Sequence, residues 1–201
     1  MLGVTRTLVM TGRINGRFFS AEGAERGSRL HAYTDDIDYG LPLVAVPDDW
    51  LGYLEAYQTF LAVVRPDYGA PDWWRSVAMD APDYGRISTG PEAVYVERFA
   101  QSIPLGIRGR IDRVCRKIFT GPGIIDFKFG AEQAWHGEQL SFYNRLCPVG
   151  ARYTVYFRSN GTYRIKQHTD PRDDVRATSD LRKAREMEAQ CQTPVTATTG
   201  P

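Results

Sequence analysis

The sequence has few of the features that mark secreted, membrane or strongly basic proteins. Its three cysteines, Cys115, Cys147 and Cys191, are odd in number and widely spaced, which argues against a disulfide framework and against a Cys-x-x-Cys metal site. No apolar run approaches the roughly 20 residues needed to cross a bilayer, and the apolar segment near the N-terminus is too short for a signal peptide. We therefore expect a cytoplasmic protein, in a bacterial or phage-infected cell, with no membrane partner.

The chain also has no large excess of either sign of charge, since 25 Lys and Arg residues against 24 Asp and Glu residues leave a net charge of only +1. Any nucleic-acid site must then come from local clusters of Lys and Arg rather than from the total. The chain is rich in hydrophobic residues (42%) and aromatic residues (12%), as folded proteins are. Its 201 residues are enough for one well-buried domain and too few for two. We expect a single domain over residues 1–190, with a loop-rich insertion at 65–91 and a disordered tail at 191–201.

The first helix predicted from the sequence begins after Ser20 and runs to about Asp36. Within it, Gly23, Gly27 and His31 recur every four residues and so share one face. Each glycine lowers the stability of the helix by roughly 1 kcal/mol relative to alanine. We therefore expect the glycines to serve a purpose, namely to let this face of the helix pack closely against a sheet. The His31 imidazole would then point at that sheet.

Hydrophobic periodicity and turn residues predict the remaining elements. Asn160-Gly161 is the strongest short hairpin signal in the chain. The expected elements are a core-facing helix after Pro47, a strand over 93–100, a strand ending near Val114, a turn at 120–123, a strand over 124–129, a helix over 135–146, a hairpin within 152–168 and a polar helix from 170–174 to about 190.

A carboxylate and an ammonium should lie side by side on the strand over 124–129. Asp126 and Lys128 are two residues apart and project from one face, and Asp112 on the adjacent strand can supply a second carboxylate. The flanking residues are apolar, as in a central strand, where two charges need a partner or a metal. A divalent ion held by carboxylates can neutralise phosphoryl oxygens and generate a nucleophile from water. Alone, however, Asp-x-Lys is commonly an exposed ion pair.

The order of the polar motifs resembles that of the RecB-like branch of the PD-(D/E)XK nucleases, over about residues 20–145. The resemblance implies an α/β, restriction-endonuclease-like core, a central mixed sheet flanked by helices. It also implies Mg²⁺- or Mn²⁺-dependent hydrolysis of DNA, as in stand-alone exonucleases of recombination, repair or phage DNA processing. The motifs are Arg26-Gly-Ser-Arg-Leu-His31, Gly109-Arg-Ile-Asp112, Asp126-Phe-Lys128 and Gln139-Leu-Ser-Phe-Tyr143.

The same resemblance assigns metal ligands and a catalytic lysine. Asp112, Asp126, the main-chain carbonyl of Phe127 and His31 would hold the metal, and Lys128 would orient or activate the attacking water. A lone histidine on a helix is more often packed or solvated, so the role of His31 depends on the whole set.

Three further residues take catalytic roles by the resemblance. Glu97 lies ahead of the Gly-x-x-Asp strand, and Gln139 and Tyr143 fall one helical turn apart, within reach of the site or the substrate backbone. Each also has a plainer interpretation. Glu97 could be a solvated strand residue, and the other two could belong to an ordinary amphipathic helix.

Two groups of residues are candidates for nucleic-acid contact. Arg108, Arg110 and Arg113 could line a phosphate-binding groove, although alternating charges on a strand are usually its wet face. Trp73 and Trp74 could stack bases, although burial is the commoner fate of tryptophan.

Two alternatives to an exonuclease remain open. One is a restriction-type or structure-specific endonuclease, and the other is a catalytically idle nucleic-acid-binding subunit, against which the intact acids and lysine argue. The chain has no Walker A motif, so any unwinding would come from a partner such as a helicase or a single-strand annealing protein. Three scattered cysteines cannot build the four-cysteine iron-sulfur cluster of some relatives.

Overall fold

The computed structural model describes residues 1–15, 20–69 and 96–192, with side chains described for 1–15, 20–69 and 100–191. A short 3₁₀ turn, Asp48–Trp50, precedes the third helix. The helices are α1 (Val4–Met10), α2 (Ala21–Asp38), α3 (Leu51–Val64), α4 (His136–Leu146) and α5 (Pro171–Gln192). The strands are β1 (Leu2–Gly3), β2 (Asp67–Tyr68), β3 (Val96–Ser102), β4 (Ile107–Ile118), β5 (Gly121–Lys128), β6 (Ala151–Phe157) and β7 (Tyr163–Gln167).

Across the described ranges, the strands form one mixed sheet of seven. Its main path runs β1-β4-β5-β6-β7, and the long strand β4 also pairs with β2 and β3. The β4–β5 and β6–β7 pairs are antiparallel, whereas β5 and β6 are parallel because α4 carries the chain across the sheet between them. The expected α/β class, a central mixed sheet flanked by helices, is confirmed.

Each face of the sheet carries its own layer of helices. One face packs against α1, α4 and α5 through residues such as Ile111, Ile124 and Phe142. The other packs against α2 and α3 through a cluster that includes Phe60 and Phe127. Strand β5 is buried on both sides, because its alternate residues enter the two layers, and this explains its almost continuous apolar sequence.

Most of the predicted elements are confirmed, with shifted ends. The Ser20 hydroxyl accepts the backbone N–H of Gly23 and so caps α2, and the Asn160-Gly161 turn joins β6 to β7. The β4–β5 hairpin is present, but β4 continues to Ile118 rather than ending near Val114. Helix α1 was not predicted.

Several expectations fall wholly or partly outside the described residues. Of the insertion predicted at 65–91, only 65–69 is described, and Tyr68 within it belongs to β2, which pairs with β4. Trp73, Trp74 and most of the predicted tail lie outside those ranges. Within the ranges that are described, no helix combines the length and apolarity that crossing a bilayer requires.

The glycine face of α2 does not pack against the sheet, which contradicts the prediction. Among the described residues, a Cβ atom built on Gly27 would meet no atom within 4 Å, and one on Gly23 would meet the Ser20 hydroxyl oxygen at 3.1 Å. Both glycines instead border an open cleft, together with His31 at the end of the same face. The absent side chains therefore leave space beside the sheet.

Candidate active site

Two acids face each other where the β4–β5 hairpin opens. The backbone pairing ends with Arg113 opposite Ile125, so Asp112 and Asp126 are the next residue on each strand, and the two carboxylates are close enough for the Asp112 charge to raise the pKa of Asp126. There the Asp112 carboxylate accepts the backbone N–H of Phe127 at 2.7 Å. A side chain thus satisfies a backbone donor that the separating strands would leave unpaired. The opening of the hairpin is what brings the two carboxylates together.

The Asp126 carboxylate is held in a dry environment beside Lys128. Asp126 is 1% exposed, and the Lys128 ammonium lies 2.7 Å from its Oδ2 atom. Burial raises the pKa of Asp126, the nearby Asp112 charge raises it further, and Lys128 only partly offsets these effects. The buried Asp126 carboxyl therefore binds a proton more tightly than an exposed aspartate does.

His31 reaches the same acids from α2. Its Nδ1 atom lies 3.7 Å from Oδ2 of Asp112, and the edge of its ring packs on Phe129 with the ring centroids 5.1 Å apart. The imidazole points at the sheet, as predicted. The structure thus brings together four of the residues selected from the sequence: His31, Asp112, Asp126 and Lys128.

Gln139 and Tyr143 lie on one face of α4 and contact each other, with the Gln139 amide donating to the Tyr143 hydroxyl at 2.9 Å. Tyr143 packs over Gly109, where a Cβ atom would stand 2.9 Å from its ring. The tyrosine borders a separate small pocket with Arg108 and Arg110, and the residues that line the main cleft do not include it. Close approach of this ring explains why Gly109 has to be glycine.

Glu97 belongs to β3, and its side chain lies outside the described residues. Its catalytic role stays a prediction.

Arg113 does not line a groove, which corrects the prediction made for it. The side chain is 0% exposed, and its nitrogens bind Asp38 at 2.7 Å, Asp35 at 2.8 Å and Thr34 at 3.2 Å on α2. The physical reason is that the strand turns its alternate residues from the α4 side at Ile111 to the α2 side at Arg113. Arg108 and Arg110 are exposed, and their contact with nucleic acid stays a prediction.

The partners of Arg113 carry a signal that sequence reasoning missed. Asp35 and Asp38 follow His31 by four and seven residues and so continue its side of the helix. Through them, Arg113 fixes α2 against β4 directly beside Asp112. The same helix is thereby held in the position that presents His31.

A cleft of about 790 Å³ opens beside His31 and Lys128. Its walls are the glycine face of α2, the end of β5 and the loop that leads into α4. The lining residues are Arg13, Asn15, Ser20, Gly23, Arg26, Gly27, His31, Phe127, Lys128, Phe129, Gly130, Ala131, Gln133, Trp135 and His136.

Two aromatic residues of this lining were not selected from the sequence. The Lys128 ammonium lies over the Trp135 ring, 5.6 Å from its centroid. The His136 ring is buried and shares a hydrogen bond of 2.9 Å with the Tyr156 hydroxyl. Burial, and then the Lys128 charge, lower the pKa of His136 to about 3, so the imidazole is neutral at physiological pH. No motif marks these residues, and only the fold brings them to Lys128.

The donor set suits a hard divalent ion that keeps several water ligands. Among the described side chains, no group of three or more His, Cys, Asp or Glu residues is arranged to hold a metal ion. Mg²⁺ is usually bound through one or two carboxylates with waters in the remaining positions. Asp112 and Asp126 are the two carboxylates that could hold such an ion.

Comparisons with known proteins assign no family. No family model and no curated protein matches the sequence. An alkaline exonuclease from Laribacter hongkongensis aligns with a TM-score of 0.47 and 8% identity over 94% of this chain and 88% of its own. The structure of SSO0001 aligns with a TM-score of 0.39 and 15% identity over 100% and 85%. Likenesses this weak carry no argument about function, which must rest on the site.

Proposed function

We propose that the protein is a Mg²⁺- or Mn²⁺-dependent DNA nuclease of the RecB-like PD-(D/E)XK type, acting as an exonuclease. One observation carries the proposal. Two carboxylates from adjacent strands, Asp112 and Asp126, face each other in a buried site with a lysine ammonium 2.7 Å from one of them. A purely structural ion pair would not require a second acid at the same point.

The metal would be held by Asp112, Asp126, the carbonyl oxygen of Phe127 and His31. When bound, it would supply positive charge to the phosphoryl oxygens and lower the pKa of a water molecule. His31 is a nitrogen donor, which Mn²⁺ accepts more readily than Mg²⁺ does.

Lys128 would act on the substrate rather than on the metal. Its ammonium lies between Asp126 and the Trp135 ring and borders the cleft. From there it can donate hydrogen bonds to a phosphoryl oxygen or to the attacking water, and it adds positive charge where negative charge develops. The neutral His136 beside it adds no competing charge.

Cleavage of defined DNA substrates tests the proposal. Purified protein would be mixed with end-labelled linear, circular and single-stranded DNA, with and without Mg²⁺ or Mn²⁺, and the Asp126→Asn variant would serve as the inactive control. Metal-dependent shortening of linear DNA with intact circles is the expected result. Cut circles would instead indicate an endonuclease, and a shifted but uncut band would indicate a binding subunit.

A further inference from the structure

The cleft carries more positive charge than Lys128 alone. Among the described residues that line it, Arg13, Arg26 and Lys128 are cations and no carboxylate is present. Asp112 and Asp126 are buried and are not among the lining residues. The cleft therefore presents to its ligand a surface that favours an anion.

Arg13 is held in this cleft by two buried acids from other elements. Its Nε atom lies 2.8 Å from Asp180 of α5 and 3.2 Å from Glu138 in the first turn of α4. Asp180 is 1% exposed and Glu138 is 2% exposed, whereas the Arg13 side chain remains 37% exposed. The two buried carboxylates thus hold the guanidinium against α4 and α5 while the side chain stays open to the cleft.

Arg113 shows what a structural arginine looks like in this protein. All three of its guanidinium nitrogens bind partners within the fold, and it is completely buried. In the part of the chain that the structure describes, Arg13 is bound to its carboxylates through Nε alone. Such an anchor holds the guanidinium at its Nε atom, while the Arg13 side chain stays 37% exposed and lines the cleft.

We infer that Arg13 is a phosphate-binding residue of the cleft and that Asp180 and Glu138 are its positioning residues. The inference rests on the proposed function for the identity of the ligand, which is a phosphate group of a DNA strand. The outer edge of a guanidinium matches two phosphate oxygens in a bidentate geometry. Fixing that edge in advance reduces the entropy lost when the phosphate binds.

The inference explains why α5 matters to the site. The Asp180 carboxylate comes from the middle of α5, an element none of whose described residues lines the cleft. Arg176, on the same helix, lies 3.8 Å from Glu138 and shares in the charge balance of these acids. The α5 helix thus positions a substrate contact without bordering the cleft itself.

Binding of labelled DNA without any divalent metal tests the inference. The affinity of wild type and Arg13→Gln for a fluorescent oligonucleotide would be measured by anisotropy at several salt concentrations in EDTA. Loss of one charge-assisted contact should weaken binding by about tenfold or more. It should also reduce the slope of log affinity against log salt by about 0.9 for duplex or about 0.7 for single-stranded DNA.

Matched variants separate a phosphate contact from a structural effect. Arg13→Lys, which keeps the charge but not the planar fork, should lose affinity and keep the salt slope. Asp180→Asn should weaken binding through the loosened anchor, with a smaller loss than Arg13→Gln. Arg116→Gln, at an exposed arginine paired with Asp67, is the control and should change neither quantity. Melting curves would show whether each variant is folded.

The substrate ends distinguish two sources of the phosphate. A loss confined to 5′-phosphorylated oligonucleotides assigns Arg13 to a terminal phosphate, and an equal loss on hydroxyl-ended and circular DNA assigns it to the backbone. Either result supports the inference. Wild-type affinity and salt slope in a folded Arg13→Gln overturn it, as does a wild type that binds no DNA. If Arg13→Gln does not fold, unchanged binding in both Arg13→Lys and Asp180→Asn overturns it instead.

The outcome is separable from that of the proposed nuclease. A wild type that binds DNA but cleaves none with Mg²⁺ or Mn²⁺ would remove the nuclease and leave the role of Arg13 intact. A wild type that cleaves, with an Arg13→Gln variant that binds equally well, would remove the role of Arg13 alone.

Discussion

Replacing Asp126 by asparagine should stabilise the metal-free protein while abolishing its activity. The buried carboxylate has its pKa raised from 3.8 to about 6 by burial and by Asp112. A group whose pKa is raised on folding binds its proton more tightly in the folded state, so the folded protein loses stability as pH rises from about 4 to about 6. Asparagine removes that cost and keeps nearly the same shape.

The magnitude follows from the same values. At about 1.4 kcal/mol for each pH unit between 3.8 and about 6, the charged Asp126 costs the folded state about 3 kcal/mol at pH 7. The opposing effect of Lys128 is already contained in the raised pKa, so the net gain of the variant at pH 7 is about 2–3 kcal/mol. In a chain of 201 residues, that raises the melting temperature by roughly 4–12 °C.

The assay is thermal and urea unfolding in EDTA at pH 7.5 and pH 4.5. The advantage of Asp126→Asn should be largest at pH 7.5 and should shrink to about 1 kcal/mol at pH 4.5, where the wild-type carboxyl is protonated in the folded state. Asp67→Asn, at an exposed acid, is the control and should change stability by less than about 0.5 kcal/mol. A variant less stable than wild type at pH 7.5 would refute the reasoning, since Lys128 would then compensate Asp126 in full.

Three further predictions concern single residues. Lys128→Ala should lower the cleavage rate by about a hundredfold or more and leave Mn²⁺ affinity within about threefold, because the ammonium is not a metal ligand. Cleavage kinetics and Mn²⁺ titrations of the variant and the wild type check this. Loss of Mn²⁺ binding in the variant would mean that Lys128 has a structural role. His31→Ala should weaken Mn²⁺ binding and reduce the advantage of Mn²⁺ over Mg²⁺. The Mn²⁺ affinity of the wild type should also fall at lower pH, because a protonated imidazole cannot bind a metal. Superimposable Mn²⁺ titrations of the two proteins would show that His31 is only a packed side chain. Arg113→Met should lower the free energy of unfolding by about 3–5 kcal/mol, since Asp35 and Asp38 lose a fully buried partner. A decrease of less than about 1 kcal/mol, measured by urea unfolding, would contradict the structural role of Arg113.

The sequence was sufficient to predict the parts of the site that lie on regular elements. Asp126 and Lys128 share a strand face two residues apart, and His31 follows two glycines at helical spacing, so periodicity alone places them. The facing of Asp112 and Asp126 depends on the register of the β4–β5 hairpin, which the turn at 120–123 indicated only approximately.

The rest depends on contacts between residues distant in sequence. Arg113 was predicted to line a phosphate-binding groove with Arg108 and Arg110, but strand alternation puts position 113 on the other side from those two, and its burial against Asp35 and Asp38 depends on how α2 packs. The contact between Arg13 and Asp180 joins residues 167 positions apart, so no local pattern could predict it. The open space beside Gly27 was mistaken for close packing, since glycine permits both.

The most direct test of the account is a count of bound Mn²⁺. Electron paramagnetic resonance would follow free Mn²⁺ during titration of wild type, Asp112→Asn and Asp126→Asn at pH 7.5, with Asp67→Asn as the folded control. The account predicts saturable binding to the wild type and the control, and a loss of at least tenfold in affinity in each of the other two variants. Equal binding by all four proteins would contradict it, because the two facing carboxylates would then not be a metal site.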